Sequence, residues 1–423
     1  MNERSDQSSP ATTTLEGPLL LRGPAGTGKT QFLAERAAWL ARERFTGPDD
    51  RILVTAFSPE GLKALKERTE ALAGNAAARL VFANLQPWAK DLLAPRLRSQ
   101  RIAGAKQTAS AWGATFAEIG DLQFPDHFYR DEWDRVVQAD GLVSRTAFVK
   151  SLRKGRHQRL DRAQRLQVWD VLSRYRSRLD TEGLFEWADL MREARLLFDE
   201  GHEQRIFKAA VCDEVQEFRP AELALLRAIV CPGADDLSLA GDPRQRLWGF
   251  AFDLRDVGIQ FDDRVLEAMS SKRCPPHLLD RAEALVADRG YDDLLGGSLP
   301  LRKETASQGK TELPIRVTSD ESELRFWETA FRSEGDILHF DAVLAQSTEG
   351  GPMPLAQARR HEGPRILVTN AGRLGDDLKP DDFADSASLA EAQRRLITRL
   401  YVAVTRATED FLILATKQPP LWS

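Results

Sequence analysis

A short glycine-rich segment has the composition of a phosphate-binding site. Residues 23–30, GPAGTGKT, follow a short apolar run and precede the helical pattern QFLAERAAWLARE. Glycines in such a loop let backbone N–H groups close around phosphate oxygens at the N-terminus of a helix. Lys29 would neutralise the β and γ oxygens of a triphosphate, and the hydroxyl of Thr30 would reach Mg²⁺. The segment therefore predicts a P-loop that binds ATP and Mg²⁺ through Gly23, Gly26, Gly28, Lys29 and Thr30.

Two adjacent carboxylates follow another apolar run. In AAVCDEVQEF, residues 209–218, the run ends at Asp213 and Glu214. Ligands of open parallel sheets bind at the carboxyl ends of the strands, which is where these side chains would lie. Behind a P-loop, we expect Asp213 to hold the magnesium shell and Glu214 to be the general base that takes a proton from the attacking water.

Short apolar runs alternate with longer amphipathic stretches along the chain. This alternation is typical of parallel sheets covered by helices and predicts an α/β fold. Residues 95–207 have apolar positions at helical spacing, as in AQRLQVWDVLSRYRSRL, and predict a helical insert. The runs that we interpret as strands are residues 19–21, 52–56, 209–212, 237–240, 366–368 and 411–414.

Composition limits the class of protein. A chain of 423 residues suits two or three compact domains. It has no run of eighteen apolar residues, and its start, MNERSDQSSPATTT, is polar, so we expect a cytoplasmic protein without a membrane partner. Cys212, Cys231 and Cys274 are far apart and lack the spacing of a metal site, which predicts buried, reduced thiols.

The chain is slightly acidic overall but locally basic. A formal net charge of −5 argues against a protein that coats nucleic acid through overall basicity, so any contact would need a local groove. The segment between Arg145 and Arg178 contains only two acidic residues, Asp161 and Asp170, and indicates either such a groove or a solvated helical face. Its cations are Lys150, Arg153, Lys154, Arg156, Arg159, Arg162, Arg165, Arg174 and Arg176.

Further segments resemble, in order, the motifs of the UvrD/Rep group of superfamily 1 helicases. ILVTAFSPEGLKALKER resembles the motif after the P-loop, VFANLQPWAKDLL the TFHSF segment, and FEWADLMREARLL the stretch before the DEXQ strand. DEVQEFRPAELALL resembles the DEXQ motif, LAGDPRQRLWGF the GDxxQxIYxF motif, MSSKRCPPHLLDRAEAL the NYRS motif, and QRRLITRLYVAVTRA the final motif. The resemblance implies two RecA-like parallel-sheet P-loop NTPase domains and an ATPase that depends on nucleic acid.

The resemblance also implies roles for side chains outside the P-loop. Arg273 lies on the arginine of the NYRS motif and Arg406 on the arginine finger, and both would stabilise charge on the γ-phosphoryl group in the transition state. Gln245 lies where the family senses the γ-phosphate. With Lys29 and Glu214, these residues form the catalytic set that we expect.

A track for single-stranded nucleic acid, which we expect to be DNA, follows from the same resemblance. Its aromatic members would stack on successive bases, because every base offers a π-face. Taken alone, each of these aromatic residues would more often be a core residue. The side chains assigned to the track are Thr55, Phe57, Phe82, Asn84, Trp248 and Phe250.

Several positions depart from the family pattern. Gln31, which we keep in the nucleotide-binding set, replaces an arginine that helps to hold adenine, and Lys272 replaces a tyrosine that stacks on it. Gln7 is at the distance of the family's glutamine motif but in different surroundings. We therefore predict weak discrimination among ATP, GTP and CTP. The TxHxxKGLE motif has two counterparts, residues 339–343 and VTNAGRLGDD, residues 368–377, and neither has the lysine.

We predict four segments: a flexible N-terminus (residues 1–16), a first RecA-like motor domain (17–94 and 207–255), a helical insert (95–206) and a second motor domain (256–423). Between Arg273 and Arg406 the chain is too short for the large helical insert of full-length family members, so we expect no strand-separating accessory domain. Short UvrD-like proteins occur as partners of nucleases in antiviral systems of the Gabija type, and this chain resembles them in its short length.

Three functions remain open at this point. The first is a nucleic-acid-dependent ATPase and single-stranded DNA translocase or helicase, in DNA repair or antiviral defence. The second is a degenerate nucleotide switch that regulates a partner protein such as a nuclease without processive unwinding, which the altered TxHxxKGLE motif favours. The third is a P-loop ATPase that does not act on nucleic acid; the net charge permits it, and the aromatic residues in matched motifs oppose it.

Overall fold

The structure, a computed structural model, divides into two compact units. It describes residues 10–97, 101–154, 156, 158–247, 252–268, 271, 273–287, 289–299, 315–346, 351–380, 383 and 386–418. Of these, the first unit takes 10–21, 30–241 and 252–266, and the second takes 22–29, 242–247 and 267–418.

The first unit contains a six-stranded sheet and a helical segment. Its strands are β1 (Leu19–Arg22), β2 (Ile52–Ala56), β3 (Leu80–Phe82), β4 (Arg101–Ile102), β5 (Leu184–Phe185), β6 (Ala209–Asp213), β7 (Leu237–Gly241) and β8 (Val265–Glu267). Its α-helices are α1 (Lys29–Trp39), α2 (Pro59–Ala73), α3 (Leu85–Leu97), α4 (Ala105–Ile119), α5 (Asp126–Glu132), α6 (Arg145–Lys150), α7 (Arg162–Thr181), α8 (Trp187–Asp199) and α9 (Pro220–Ile229). Strands β1 and β8 and helix α1 each extend one residue into the second unit.

The large sheet of the first unit has the strand order β3-β2-β6-β7-β1-β8. Strand β2 pairs in parallel with both β3 and β6, and β6 pairs in parallel with β7. Every residue of β2, β6 and β7 is buried. A strand covered on both faces needs a nearly continuous apolar sequence, which explains why these strands could be predicted from short apolar runs.

The helical segment lies between β3 and β6 in the sequence. It holds α3 to α8 and a small parallel sheet of β4 and β5. The N-terminus of α7 is fixed by Asp161, whose carboxylate accepts from the backbone N–H of Gln164 at 2.8 Å, while the Gln164 side chain accepts from the Asp161 N–H at 3.0 Å. The rings of Trp112 and Tyr175 stack at 3.8 Å and join α4 to α7.

The second unit is built on a five-stranded sheet in which each neighbouring pair is parallel. The strand order is β11-β10-β12-β13-β9. The strands are β9 (Ile315–Val317), β10 (Ile337–Asp341), β11 (Met353–Pro354), β12 (Gly363–Thr369) and β13 (Ala407–Ala415). The α-helices are α10 (Pro276–Val286), α11 (Glu321–Ser333) and α12 (Ser386–Val404).

Helices cover both faces of this second sheet. Ile366 and Val368 of β12 pack in one cluster with buried residues of α10 and α12. Leu367, which lies between them in sequence, packs in a second cluster with Phe331 of α11. Successive side chains of a strand point to opposite faces, so the alternation assigns one face to each set of helices.

The α/β class with parallel sheets in two RecA-like domains is confirmed. Each of the six predicted strands is present, extended by up to four residues at its start and by at most one at its end. Within the described ranges, no helix combines the length and the apolar character that crossing a membrane requires. The four segment boundaries proposed from the sequence remain predictions.

Candidate nucleotide and nucleic-acid site

The P-loop forms a tight turn between β1 and α1. Gly26 and Gly28 have φ angles of +75° and +86°, a left-handed region that glycine adopts without steric cost. The Thr27 hydroxyl donates to the carbonyl oxygen of Pro24 at 3.0 Å and closes the turn. Because α1 begins at Lys29, the turn leads directly into a helix N-terminus, where backbone N–H groups favour an anion.

Lys29 points its ammonium group back over the loop. Its Nζ donates to the carbonyl oxygens of Gly23 and Pro24, both at 2.8 Å, and only 8% of the residue is exposed. A buried cation held by carbonyl dipoles strongly favours a negative ligand close by. This placement fits the role expected for Lys29 at the β and γ oxygens of ATP.

Part of the second unit packs closely against the loop glycines. A Cβ atom on Gly23 would lie 2.4 Å from the carbonyl oxygen of Ala268, and one on Gly26 would lie 2.5 Å from Ser271 Oγ and 2.6 Å from Arg273 Cβ. No side chain fits at either glycine without movement of these neighbours. The same packing places the backbone of Arg273 beside the P-loop.

Thr30 and Asp213 are joined by a short hydrogen bond. The Thr30 hydroxyl donates to Asp213 Oδ2 at 2.6 Å, and Asp213 is 5% exposed at the end of β6. Hydroxyl and carboxylate oxygens are hard ligands of the kind that Mg²⁺ takes, with waters and substrate phosphates filling the other positions. In the described part of the chain, no group of three or more His, Cys, Asp or Glu residues could hold a metal ion by itself. The donor set therefore fits a metal bound jointly with a phosphate.

Glu214 has an unusual backbone conformation directly after Asp213. Its φ angle is +58°, which places a non-glycine residue in the left-handed region. Two contacts hold it there: its N–H donates to Asp213 Oδ1 at 2.9 Å, and the Gln216 side chain donates to Glu214 Oε2 at 2.5 Å. These contacts fix the backbone that follows Asp213 and the orientation of the Glu214 carboxylate.

Gln245 and Arg406 are brought together in the second unit. The Arg406 guanidinium donates to Gln245 Oε1 at 2.9 Å and to the carbonyl oxygen of Val402 at 3.2 Å. Gln245 in turn donates to Asp242 Oδ2 at 3.0 Å. Asp242 also accepts from Arg244 at 3.1 Å. Burial alone would lower the pKa of Arg244, but the nearby Asp242 carboxylate outweighs burial, and the pKa is raised. The network links two residues of the expected catalytic set.

Arg273 has a partner that the sequence did not indicate. Its guanidinium Nη2 lies 2.5 Å from Glu362 Oε1, with 28% and 51% of the two side chains exposed. Glu362 immediately precedes β12, and the N–H of the next residue, Gly363, donates to the Arg406 carbonyl oxygen at 3.3 Å. No motif includes Glu362, and it falls in a segment whose composition is typical of a loop.

Four of the six side chains assigned to nucleic acid lie at one edge of the first sheet. Thr55 and Phe57 are at the end of β2, and Phe82 and Asn84 are at the end of the parallel neighbour β3. Asn84 donates to the carbonyl oxygen of Ala56 at 2.6 Å, which ties the two strand ends together. Phe57 and Phe82 are both partly exposed, so their rings are available to a ligand.

Contacts with neighbours orient these rings. Phe57 packs edge-on against Phe218 with ring centroids 5.7 Å apart, and Lys66 Nζ lies 5.5 Å from the centroid of Phe82. Thr55 is fully buried, and its hydroxyl has no hydrogen-bond partner among the described residues. Trp248 and Phe250, the other two members of the expected track, lie outside the described residues, as do Gln7 and Lys272.

Comparison with protein families decides the relationship. Residues 4–252 match the family described as "UvrD/REP helicase N-terminal domain". The chain belongs to the UvrD/Rep helicase family. The resemblance inferred from the motifs is thereby confirmed, and the match covers more than half of the chain.

Individual relatives match this chain either at low sequence identity or over a short stretch. The chain is 23% identical over 257 residues to the "ATP-dependent DNA helicase PcrA" of Staphylococcus aureus strain Mu50, which covers 59% of this chain and 34% of the relative. A shorter stretch of 76 residues is 42% identical to the "ATP-dependent DNA helicase PcrA" of Staphylococcus epidermidis strain RP62A, covering 18% of this chain and 10% of the relative. The match to the S. aureus protein thus spans about a third of that protein's length.

The departures from the UvrD/Rep pattern have a structural context. Gln31 Nε2 donates to Glu35 Oε1 one turn further along α1, at 2.9 Å, so the side chain is engaged within its own helix. A glutamine held in this way would contact adenine more weakly than the bidentate, charged fork of an arginine.

The two counterparts of the TxHxxKGLE motif meet at the ends of β10 and β12. His339 Nε2 lies 3.0 Å from Thr369 Oγ1, and Asn370 donates to Asp341 Oδ2 at 2.7 Å. Arg332 lies 2.8 Å from His339 Nδ1. The segments are thus parts of one hydrogen-bonded cluster in this UvrD/Rep chain, and the family lysine is absent from both.

The basic run of the helical segment is largely neutralised by ion pairs. Glu132 accepts from Arg153 and Arg156, and Glu118 accepts from Arg174 and Arg178. Lys154 pairs with Asp256, and Arg176 with Asp189. This pairing favours a solvated helical face over a continuous basic groove. The cations that are exposed and have no partner within the described ranges are Arg145, Lys150, Arg159 and Arg162.

Proposed function

We propose that this chain is a nucleic-acid-dependent ATPase that translocates on single-stranded DNA. The observation that carries the proposal is the 2.6 Å contact of Thr30 with Asp213, because it joins the end of the P-loop to the acidic strand end where Glu214 is held. A phosphate loop alone would support nucleotide binding; the fixed carboxylate beside it supports hydrolysis.

The residues would divide the chemistry as follows. Lys29 and the backbone N–H groups of the loop would bind the triphosphate, and Thr30 and Asp213 would hold Mg²⁺, which neutralises developing charge on the phosphates when bound. Glu214, oriented by Gln216, would take a proton from the attacking water. The further residues of the nucleotide set are Gly23, Gly26, Gly28 and Gln31.

Two arginines and a glutamine would respond to the γ-phosphate. Arg273 and Arg406 would stabilise the negative charge on its oxygens, as cations placed in advance do most effectively. Gln245 contacts Arg406 directly, so a change at the phosphate would alter this contact and the Asp242 network behind it. We assign to Gln245 the sensing of the nucleotide state.

Bound DNA would be held at the ends of β2 and β3. Phe57 and Phe82 are partly exposed there and would stack on bases at about 1–3 kcal/mol per base, without preference for sequence. Thr55 and Asn84 lie on the same strand ends, and we add Trp248 and Phe250 from their motif. The similarity to DNA helicases of two Staphylococcus species supports DNA as the nucleic acid.

The function is tested by ATP hydrolysis with and without single-stranded DNA. We expect clear stimulation by DNA and a fall in kcat of about 10²–10⁴-fold in Glu214→Gln, since removal of a general base costs this much. Glu214→Gln should still bind a fluorescent ATP analogue, whereas Lys29→Ala should lose it. Hydrolysis that Glu214→Gln leaves intact would refute the assignment of the base.

Movement needs a separate measurement. For a translocase, the time to reach a fluorophore at one end of a single strand increases linearly with the length of the strand. A time that does not depend on length, together with DNA-stimulated hydrolysis, would remove translocation and keep the ATPase.

A second candidate is a nucleotide switch that regulates a protein partner such as a nuclease. The observation that favours it is the missing family lysine in the cluster of His339 and Thr369, where nucleotide and nucleic acid are coupled in the family. A switch would hydrolyse ATP at a rate that DNA does not change. In either case we propose a role in DNA repair or antiviral defence, and co-purification of a nuclease from the native host would support the switch.

A further inference from the structure

Glu362 stands next to both arginines that the proposed function assigns to the γ-phosphate. Its carboxylate contacts the Arg273 guanidinium at 2.5 Å. The adjoining N–H of Gly363 donates to the Arg406 carbonyl oxygen at 3.3 Å. Gly363 is the first residue of β12, a paired strand of the second sheet, so Glu362 and the start of this strand together contact both arginines.

The backbone of Arg273 is already placed, but its side chain is not. Packing against Gly26 sets the position of the Arg273 Cβ beside the P-loop. Beyond Cβ, an arginine side chain has several rotatable bonds and would sample many rotamers if nothing held its end. Among the described residues, the Glu362 carboxylate pairs with this end of the side chain.

We infer that Glu362 is a positioning residue for Arg273, an inference that rests on the proposed function. The 2.5 Å contact with Glu362 is made by Nη2, one nitrogen of a guanidinium group that carries five N–H donors. Donors on the other nitrogens would then be available to phosphate oxygens. Donors oriented before the reaction stabilise the transition state without reorganisation at the moment of transfer. Glu362 thus acts on hydrolysis through Arg273 and does not contact the nucleotide itself.

The experiment compares Glu362→Gln and Glu362→Asp with a matched control, Glu334→Gln. Glu334 contacts Arg365 of β12 at 2.5 Å, so the control breaks an equally short ion pair close to Glu362 in the sequence. Rates are measured as DNA-stimulated ATP hydrolysis. Because the pair is partly exposed, we expect kcat to fall about three- to fivefold in Glu362→Gln, with KM for ATP nearly unchanged. Glu362→Asp should lose less, and the control should behave like the unaltered chain.

A double variant separates positioning from general damage. In an Arg273→Ala background, measured under single-turnover conditions, Glu362→Gln should cause no further loss, since the residue through which it acts is gone. Additive losses in the double variant would overturn the inference. A lower melting temperature with unchanged kcat would also overturn it, because that result describes a structural contact only.

Two further outcomes are informative. A higher rate or a lower KM in Glu362→Gln would mean that the carboxylate competes with the γ-phosphate for Arg273, which contradicts positioning. If the unaltered chain hydrolyses ATP, Glu214→Gln does not, and Glu362→Gln matches the unaltered chain, only the inference about Glu362 fails. If the unaltered chain shows no hydrolysis, the proposed function fails and the inference fails with it. Should Glu362→Gln not fold, Glu362→Asp carries the test.

Discussion

A buried ion pair anchors the helix that begins in the P-loop, and breaking it should destabilise that helix strongly. Arg36 of α1 is fully buried and contacts Asp235, also fully buried, at 2.5 Å. Asp235 accepts in addition from Arg44 at 2.9 Å and from the Leu15 N–H at 2.7 Å. Burial lowers the pKa of Arg36, and the Asp235 carboxylate opposes that shift. One carboxylate therefore satisfies two guanidinium groups and a backbone donor.

The expected magnitude follows from this geometry. Asp235→Asn keeps the size of the side chain and tolerates the left-handed backbone at φ +64°, so it removes little besides the charge. Leaving Arg36 buried without a counterion costs about 3–5 kcal/mol. Asp235→Ala should lose about 1–2 kcal/mol more, since alanine is strained in the left-handed region. The exposed Lys154–Asp256 pair, broken by Asp256→Asn, should cost about 0–1 kcal/mol.

Local hydrogen exchange is the appropriate assay, because a chain with two compact units need not unfold in one step. At about 1.4 kcal/mol per tenfold change, Asp235→Asn should raise the opening of the α1 amides on the order of a hundredfold relative to Asp256→Asn. Equal exchange in the two variants would refute the reasoning. That result would mean that water or local movement compensates Arg36.

Three further predictions concern single groups. At pH 8, iodoacetamide should modify the partly exposed Cys231 first and Cys274 far more slowly, since burial raises the pKa of Cys274 to about 11; equal rates in the folded protein would contradict this. Burial and Arg332 lower the pKa of His339 in the folded chain. Below about pH 6.5 the unfolded chain therefore binds more protons than the folded chain, and the melting temperature should fall. His339→Asn should lack this contribution to the fall. With Gln31 engaged by Glu35, ATP, GTP and CTP should agree within about tenfold in kcat/KM; a hundredfold preference for ATP would refute this.

The strands that the sequence revealed share one physical property. Strands such as β2, β6 and β7 are buried on both faces, and their sequences are almost entirely apolar. Strands β3, β8, β9 and β10 were not predicted because they are short or only partly buried. Their apolar content is too low or too brief to stand out from a helical background.

The position of candidate site residues in the fold could be predicted where they follow a strand within the same short segment. Thr55, Asp213 and the P-loop each come directly after or at the end of an apolar run, so their placement at the edge of a sheet needs no knowledge of distant contacts. Glu362 could not be found in this way, since its significance depends on Arg273, a residue far away in the sequence.

The cluster around His339 shows the same limit most clearly. Separately, residues 339–343 and 368–377 each look like an incomplete copy of one family motif. The parallel register of β10 with β12 pairs Asp341 with Thr369, which brings the His339 ring to the Thr369 hydroxyl and Asn370 to Asp341. Register is set by the packing of both sheet faces and cannot be inferred from either segment alone. A search for one continuous motif therefore finds two incomplete segments, because the side chains that meet here come from two strands about thirty residues apart.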